Sequence, residues 1–510
     1  MRIIRSSTWP AGLGILLCLA FAPPIAAQSG DLNTRGTPIE ELSSIDRERI
    51  ERMLDDELTE AAAGLQLIEG QTGFDIRTRL IPERRTVVIE LGTRAIPTHT
   101  GSELEYQQRQ ISLIALELLR NIIAVDGAEF RYGDKDIFEI LPDPVPPPKH
   151  QTQETDPQKS TPPKVAIAGS HGLYFNYAQN DWTAQRPFIN GMREDFVTPY
   201  FARDLATQLT SRGATVHKAR TNETHIHAPT GEQWWRIAAR YYLESILPEE
   251  NGIWHSLPNA THATREEDED MRSRPLYANH VGADYAIHLH TNAADGPGGA
   301  DVRGTRGYYQ TGRTADAAFA KQILCSMKQA IRSVAAYENW EVVETPEPGN
   351  YAENRLATMP SAIIELGFHT NADDARALQQ TAFRNAAVKG IERGISDHHA
   401  GNACTDFRIT EIPSFSAPAG TPMDMVVHFE GNPRFPVTLR TRNVSCSQGW
   451  SCGSATATYS AEQDSPITRT FACGTGATHT GNFTYVAWLT DASGIKTPEF
   501  QYTYSCTIDS

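Results

Sequence analysis

Apolar positions recur in three different rhythms along the chain. Between residues 38 and 141, helical and strand spacings alternate. Ser44–Leu65 carries Ile50, Met53, Leu54 and Leu58 on one side, and Ser102–Ile123 carries Ile111, Ile114, Leu118 and Ile122, so both predict amphipathic helices. Phe74–Ile81 and Thr86–Leu91 read as paired strands around a turn at Pro82-Glu83-Arg84. Glu129–Tyr132 and Asp136–Ile140 read as a hairpin across Gly133-Asp134-Lys135. The expectation is a small α+β domain over 38–141. No cluster in it points to catalysis, so an accessory or interaction role is expected.

Prolines then punctuate 142–163, among them Pro146, Pro147 and Pro148 in succession, within a polar run that cannot bury a core. Such a segment predicts an extended linker.

The second rhythm runs from 164 to 402. Strand-like runs at Val165–Ala168, Ala214–Ala219, Ala283–His290, Arg303–Gln310 and Ser361–Leu366 alternate with helical patterns at Phe196–Ser211, Thr314–Ala335 and Ala382–His398. That alternation predicts an α/β domain, a mostly parallel sheet covered by helices. An interval at 221–273 interrupts it, with Trp234, Trp235, Trp254, several histidines and the acidic run Glu266–Asp270. A solvated surface insertion is the expected reading. A lid or substrate-binding excursion is the alternative, because the ends of the interval flank the sheet.

In the third rhythm, over 406–510, short runs such as Met423–Phe429, Val437–Arg442, Ile467–Cys473 and Phe483–Leu489 recur between turn residues. This predicts an antiparallel, immunoglobulin-like β-sandwich that binds or spaces rather than catalyses.

The first 27 residues read as a signal peptide. Arg2 and Arg5 precede an apolar core at Leu13–Phe21 and a small-residue site at Ile25-Ala26-Ala27. The apolar run is too short to span a bilayer. Cys18 follows the large Leu17, where lipoprotein signals take a small residue. Export to the periplasm or the extracellular space is therefore expected, with no membrane span in the mature chain. The formal charge of −16 argues against non-specific nucleic-acid binding. Cys325, Cys404, Cys446, Cys452, Cys473 and Cys506 remain after the leader, an even number that suits disulfides in an exported chain. The pairs expected are Cys446–Cys452 and Cys473–Cys506, with Cys325–Cys404 as a third.

Chemistry gathers where strands end. His171, His290 and Glu365 each stand at the carboxyl end of a strand-like run, where open α/β sheets bind ligands. Glu194 opens a helix, where a carboxylate also complements the helix dipole. Two imidazoles and a carboxylate form a catalytic zinc set that leaves a position open for water. His288 lies on the same strand face as His290; it and His369 are the neighbours expected not to bind.

These segments resemble the zinc-dependent N-acetylmuramoyl-L-alanine amidases, over roughly Val165 to Ile395. The resemblance rests on Gly169-Ser-His-Gly172, Arg193-Glu-Asp195, Ala278-Asn279, His290-Thr-Asn-Ala293 and Pro360-Ser-Ala-Ile-Ile-Glu-Leu-Gly-Phe-His-Thr-Asn371. It implies that His171, Glu194 and His290 hold Zn²⁺, that Glu365 is the catalytic acid/base, and that peptidoglycan is the substrate. The chain departs from the family's usual Asp-Pro-Gly-His-Gly by placing Ala168, Gly169 and Ser170 before His171. Two other readings stay open: a zinc-dependent cell-wall peptidase using the same site, and a catalytically idle peptidoglycan-binding homologue.

Overall fold

The computed structural model describes residues 37–120, 122–144, 161–295, 299–476 and 478–508. The expected leader and most of the proline-rich stretch therefore lie outside the described residues. Apolar side chains gather in three main cores, drawn from 39–141, from 165–395, and from 407–506 with Ala330.

In the first, α1 (Ser44–Ala62) starts at Ser43, whose side chain accepts from Asp46 N. It buries Ile50, Leu54 and Leu58. Strands β1 (Arg77–Ile81) and β2 (Thr86–Glu90) pair antiparallel, and β3 (Gly127–Arg131) joins β2 in parallel. The hairpin expected after β3 does not form: Ile137–Ile140 is a helical turn. Asp136 caps Phe138 N while Glu139 reaches back to Asp136 N, and this reciprocal cap outweighs the short apolar alternation. Helix α2 (Ser102–Arg120) buries two faces. Leu104, Ile111, Ala115 and Leu119 join this core, whereas Leu113 packs against Ala294 and Phe368 in a separate small cluster.

The central sheet has six strands: β4 (Lys164–Gly169), β5 (Thr215–Lys218), β6 (Tyr285–Asn292), β7 (Arg306–Gln310), β8 (Glu347–Gly349) and β9 (Ser361–Phe368). Their order across the sheet is β8-β7-β9-β6-β4-β5. The run β9-β6-β4-β5 is parallel; β7 is antiparallel to β9 and carries β8 parallel to itself. Every residue of β6 and β9 is buried, as befits strands covered on both faces.

Side-chain alternation divides those faces. Tyr285, Ile287 and Leu289 of β6, with Ala362, Ile364 and Leu366 of β9, pack under α3 (Glu194–Ser211), then α5 (Thr314–Arg332) and α6 (Thr381–His399). The opposite face of β6 presents His288 and His290, and α4 (Arg265–His280) contributes Ala278 to the apolar cluster beneath it.

Helix α4 overturns the expectation of a solvated insertion. Glu267, Asp268, Glu269 and Asp270 are all buried. Glu267 pairs with Arg186, Asp268 with His262, Glu269 with Arg240 and Asp270 with Arg274, so each buried acidic side chain has a partner. The helix also continues past 273, so the expected boundary falls inside it.

The last core lies between a three-stranded sheet (Arg408–Glu411, Pro422–Glu430, Ile467–Ala472) and a five-stranded one (Phe415–Pro418, Phe500–Thr507, Gly481–Thr490, Val437–Cys446, Ala455–Tyr459). Disulfides join Cys446–Cys452 and Cys473–Cys506 within it, and Cys325–Cys404 ties α5 to its start. Arg393–Asp491 at 2.5 Å and Arg434–Glu392 at 2.7 Å hold it against α6.

Candidate metal centre and catalytic carboxylate

The parallel strands deliver three of the four expected residues to one end of the sheet. His171 follows β4 after one intervening residue, Ser170. His290 lies on β6 in register with Glu365 on β9, so their side chains emerge side by side on the same face. Glu194 arrives from the other direction, as the first residue of α3. The amino terminus of that helix is held by its neighbour Asp195, which accepts from Gly172 N, Gln185 N and Arg186 N.

His171, Glu194 and His290 form a buried group whose ligand atoms all lie within 4.8 Å of one another. Glu194 Oε1 stands 3.1 Å from His290 Nδ1 and 3.5 Å from His171 Nε2, and accepts from Thr291 N at 3.0 Å. His171 Nε2 makes no hydrogen bond despite its burial. Two imidazoles and a carboxylate, with one buried ring nitrogen left without a partner, fit a zinc ion's donor preferences.

Electrostatics bind the cluster. Burial pushes the Glu194 carboxyl upward, but His171 and His290 outweigh it and hold the group well below the usual carboxylate range. Burial lowers His290, yet Glu353 and Glu194 outweigh it and raise the ring to about 9. His171 falls well below its ordinary value through burial and the Arg186 charge.

Glu353, which motif reading missed, fixes the other side of His290. Its Oε2 lies 2.7 Å from His290 Nε2, and its Oε1 accepts from Arg274 Nη1 at 2.7 Å. Arg274 also donates to Ser170 Oγ at 2.6 Å, pairs with Asp270, and places Nη2 3.5 Å from His171 Nδ1. Ser170 Oγ in turn meets His290 Nε2 at 2.8 Å. Glu353 thus turns His290 so that Nδ1 faces Glu194, the way a carboxylate orients a metal-ligating histidine. The departure at Ser170 is part of this network.

Glu365 is fully buried. Its Oε1 meets Arg109 Nη1 of α2 at 2.6 Å, and its Oε2 has no hydrogen-bond partner. Burial raises its pKa above the ordinary carboxylate value, opposed by Arg109 and His290. Arg109 was also missed, because the region expected to be accessory contributes it. His288 and His369 stand outside the metal group: His288 Nδ1 lies 3.3 Å from Glu353 Oε1, and His369 Nδ1 lies 2.9 Å from Thr291 Oγ1.

A cleft of about 970 Å³ reaches Glu194, Thr291 and His369 and is lined as well by Tyr106, Arg109 and Gln110 of α2; His171, His290 and Glu365 do not line it.

Two further clusters of metal-binding residue types lack this geometry. His99 and His262 stack at 3.8 Å with 13° between their planes, so their lone pairs do not converge. Both oxygens of the adjacent Asp268 are engaged, by Ser102 N and His262 Nε2. The cluster of Cys325, Glu344 and Asp406 offers no thiolate, because Cys325 is in a disulfide.

Residues 178–397 match the family model described as N-acetylmuramoyl-L-alanine amidase. The matched span contains Glu194, His290 and Glu365; His171 lies just before it. Among solved structures, the chain is similar to the catalytic domain of the N-acetylmuramoyl-L-alanine amidase CwlV from Bacillus (Paenibacillus) polymyxa var. colistinus, at 17% identity over 46% of this chain and 97% of that one, with a TM-score of 0.29. It is similar to the CwlD amidase of Clostridioides difficile, solved in complex with the GerS lipoprotein, at 16% identity over 47% and 100%, TM-score 0.32. It is also similar to the apo N-acetylmuramyl-L-alanine amidase Ami1 of Mycobacterium abscessus, at 15% identity over 47% and 99%, TM-score 0.31. No curated protein sequence matches the chain.

Proposed function

We propose, from the premise that residues 178–397 constitute an N-acetylmuramoyl-L-alanine amidase domain, that this protein hydrolyses the amide between N-acetylmuramic acid and L-alanine in peptidoglycan. His171, Glu194 and His290 would hold a zinc ion. When bound there, the ion supplies Lewis acidity, polarising a carbonyl and acidifying water. The observation that carries the reading is the convergence of these three buried side chains beside Glu365, whose Oε2 is unengaged.

Glu365 takes a proton from the attacking water through Oε2. The water oxygen bonds to the lactyl carbonyl carbon, the carbon–nitrogen bond breaks, and Glu365 returns the proton to the departing amine of L-alanine. Glu353 keeps His290 turned by accepting from its Nε2–H, which leaves Nδ1 free to face Glu194. Burial of Glu365 keeps bulk water from the carboxylate. Export fits the three disulfides, which persist in oxidising compartments, and no helix among the described residues is long and apolar enough to cross a membrane.

Glu365→Gln tests the assignment, because it keeps the side chain's volume and removes proton transfer. Turnover should fall by about 10²–10⁴-fold, with zinc content retained. Near-normal turnover with zinc intact removes Glu365 from the mechanism.

A further inference from the structure

Helix α2 belongs to the N-terminal core, yet it lies along the cleft of the central sheet. Tyr106 OH donates to Asp295 Oδ2 at 2.5 Å. Gln110 donates to Ala293 O at 2.9 Å and accepts from Asp295 N at 2.8 Å. Glu105 Oε1 accepts from Ala352 N at 2.8 Å, and Glu117 pairs with Arg306. These contacts fix the helix at both ends and in the middle. From that middle Arg109 reaches inward, its side chain 13% exposed, to meet the fully buried Glu365.

We propose that Arg109 is a positioning residue for Glu365, so that the N-terminal α+β unit completes the active site rather than accompanying it. The proposal rests on the reading of Glu365 as the acid/base. A charge-assisted bond of 2.6 Å to Oε1 holds the carboxylate in one orientation. It engages one oxygen only. Glu365 Oε2 and His171 Nε2 are both buried and both free of hydrogen bonds, which leaves them available for water and metal chemistry.

A helix acting as a plug would occupy that space. Here the guanidinium goes to the carboxylate instead of the His171–Glu194–His290 group, and a cavity of about 970 Å³ that Arg109 and Glu194 help to line remains open. The tight docking of α2 has a purpose on this view. A carboxylate aimed by a side chain from another unit keeps its aim only if that unit does not shift.

The test uses the full chain and a soluble N-acetylmuramoyl-L-alanyl peptide, with kcat, KM, zinc stoichiometry and melting temperature read for each variant. Arg109→Ala should lower kcat by about 10–100-fold, the usual cost of losing such an orienting partner, with KM changed by less than about threefold. Zinc content should match the parent. Arg109→Lys should recover part of the loss, since it keeps a charge but not the planar fork. In a Glu365→Gln background, removing Arg109 should cost less than about threefold more, because the two act through one group. If alanine lowers the melting temperature, Arg109→Met, which keeps the bulk of the stem, carries the same comparison.

A rise in kcat on removing Arg109 overturns the proposal in favour of a plug. An equal loss in the Glu365→Gln background overturns it in favour of mere structural support. Normal kcat in Arg109→Ala, with Glu365→Gln inactive, overturns the positioning role alone. Normal turnover in Glu365→Gln overturns the acid/base reading, and this proposal with it.

Discussion

Replacing Glu353 by glutamine probes the network that orients His290 without touching a proposed ligand. Glu353 is buried and accepts from His290 Nε2 at 2.7 Å and Arg274 Nη1 at 2.7 Å, with a longer contact from Ser170 Oγ at 3.5 Å. Glutamine has one acceptor oxygen and an amide nitrogen that can only donate. It can therefore satisfy the imidazole or the guanidinium, but not both. The bond left unmade is a buried one to a charged group, worth about 1.5–3 kcal/mol. Arg274 keeps Asp270 and Ser170, so the guanidinium is not abandoned and the cost stays near that range. For the metal, loss of an orienting carboxylate typically weakens binding by about 10–100-fold, or about 1.4–2.7 kcal/mol. The assay is a zinc competition titration against a chelating indicator, beside a denaturant melt of the zinc-free protein. Weaker zinc binding together with lower stability is expected. A Glu353→Gln protein that binds zinc as the parent does and turns over normally refutes the orienting role.

Two further outcomes follow from the same geometry. His290→Ala should abolish stoichiometric zinc binding while His288→Ala, 3.3 Å from Glu353 rather than in the ligand group, keeps it; metal analysis of both variants decides, and the reverse pattern contradicts the assignment. Burial raises the Glu267 carboxyl to about 7 in the folded chain despite Arg186. The folded state therefore holds a proton that the unfolded state releases as pH climbs above its ordinary value, and this contribution is lost as pH rises through about 7. Glu267→Gln should gain stability relative to the parent between pH 4.5 and pH 8, by up to about 3 kcal/mol, read as a pH-dependent rise in melting temperature; a difference that does not change with pH contradicts the buried, protonated carboxyl.

The residues proposed for chemistry were legible because the fold places them by a local rule. His171, His290 and Glu365 end strand-like runs, and strand ends in an α/β sheet open on one crevice. Glu194 was visible as the start of a helix. What escaped depends on distance in sequence. Arg109 is 256 residues from Glu365, and nothing in an amphipathic pattern says which polar residue of its solvent-facing side will meet another unit. Glu353 sits in a short helix with no periodicity to mark it. The acidic run at 266–270 looked solvated because a run of like charge usually is. Arg186 and Arg240, which pair with Glu267 and Glu269, lie far away in sequence and meet the run only in three dimensions, whereas Arg274 stands one helical turn after Asp270. At Asp136–Ile140 the alternation suggested a strand, while the Asp136/Glu139 spacing that caps a helix carried the stronger local signal.

Cleavage of the bond between the glycan and the stem peptide is the activity proposed for this chain. The most direct measurement is mass spectrometry of the products released from purified peptidoglycan by the full-length protein, with and without prior removal of zinc. Free stem peptides with L-alanine at a new amino terminus and glycan strands stripped of peptide are expected, formed only by the zinc-loaded protein. Cleavage within the stem peptide, or release of the same products at an equal rate after zinc removal, would contradict this expectation.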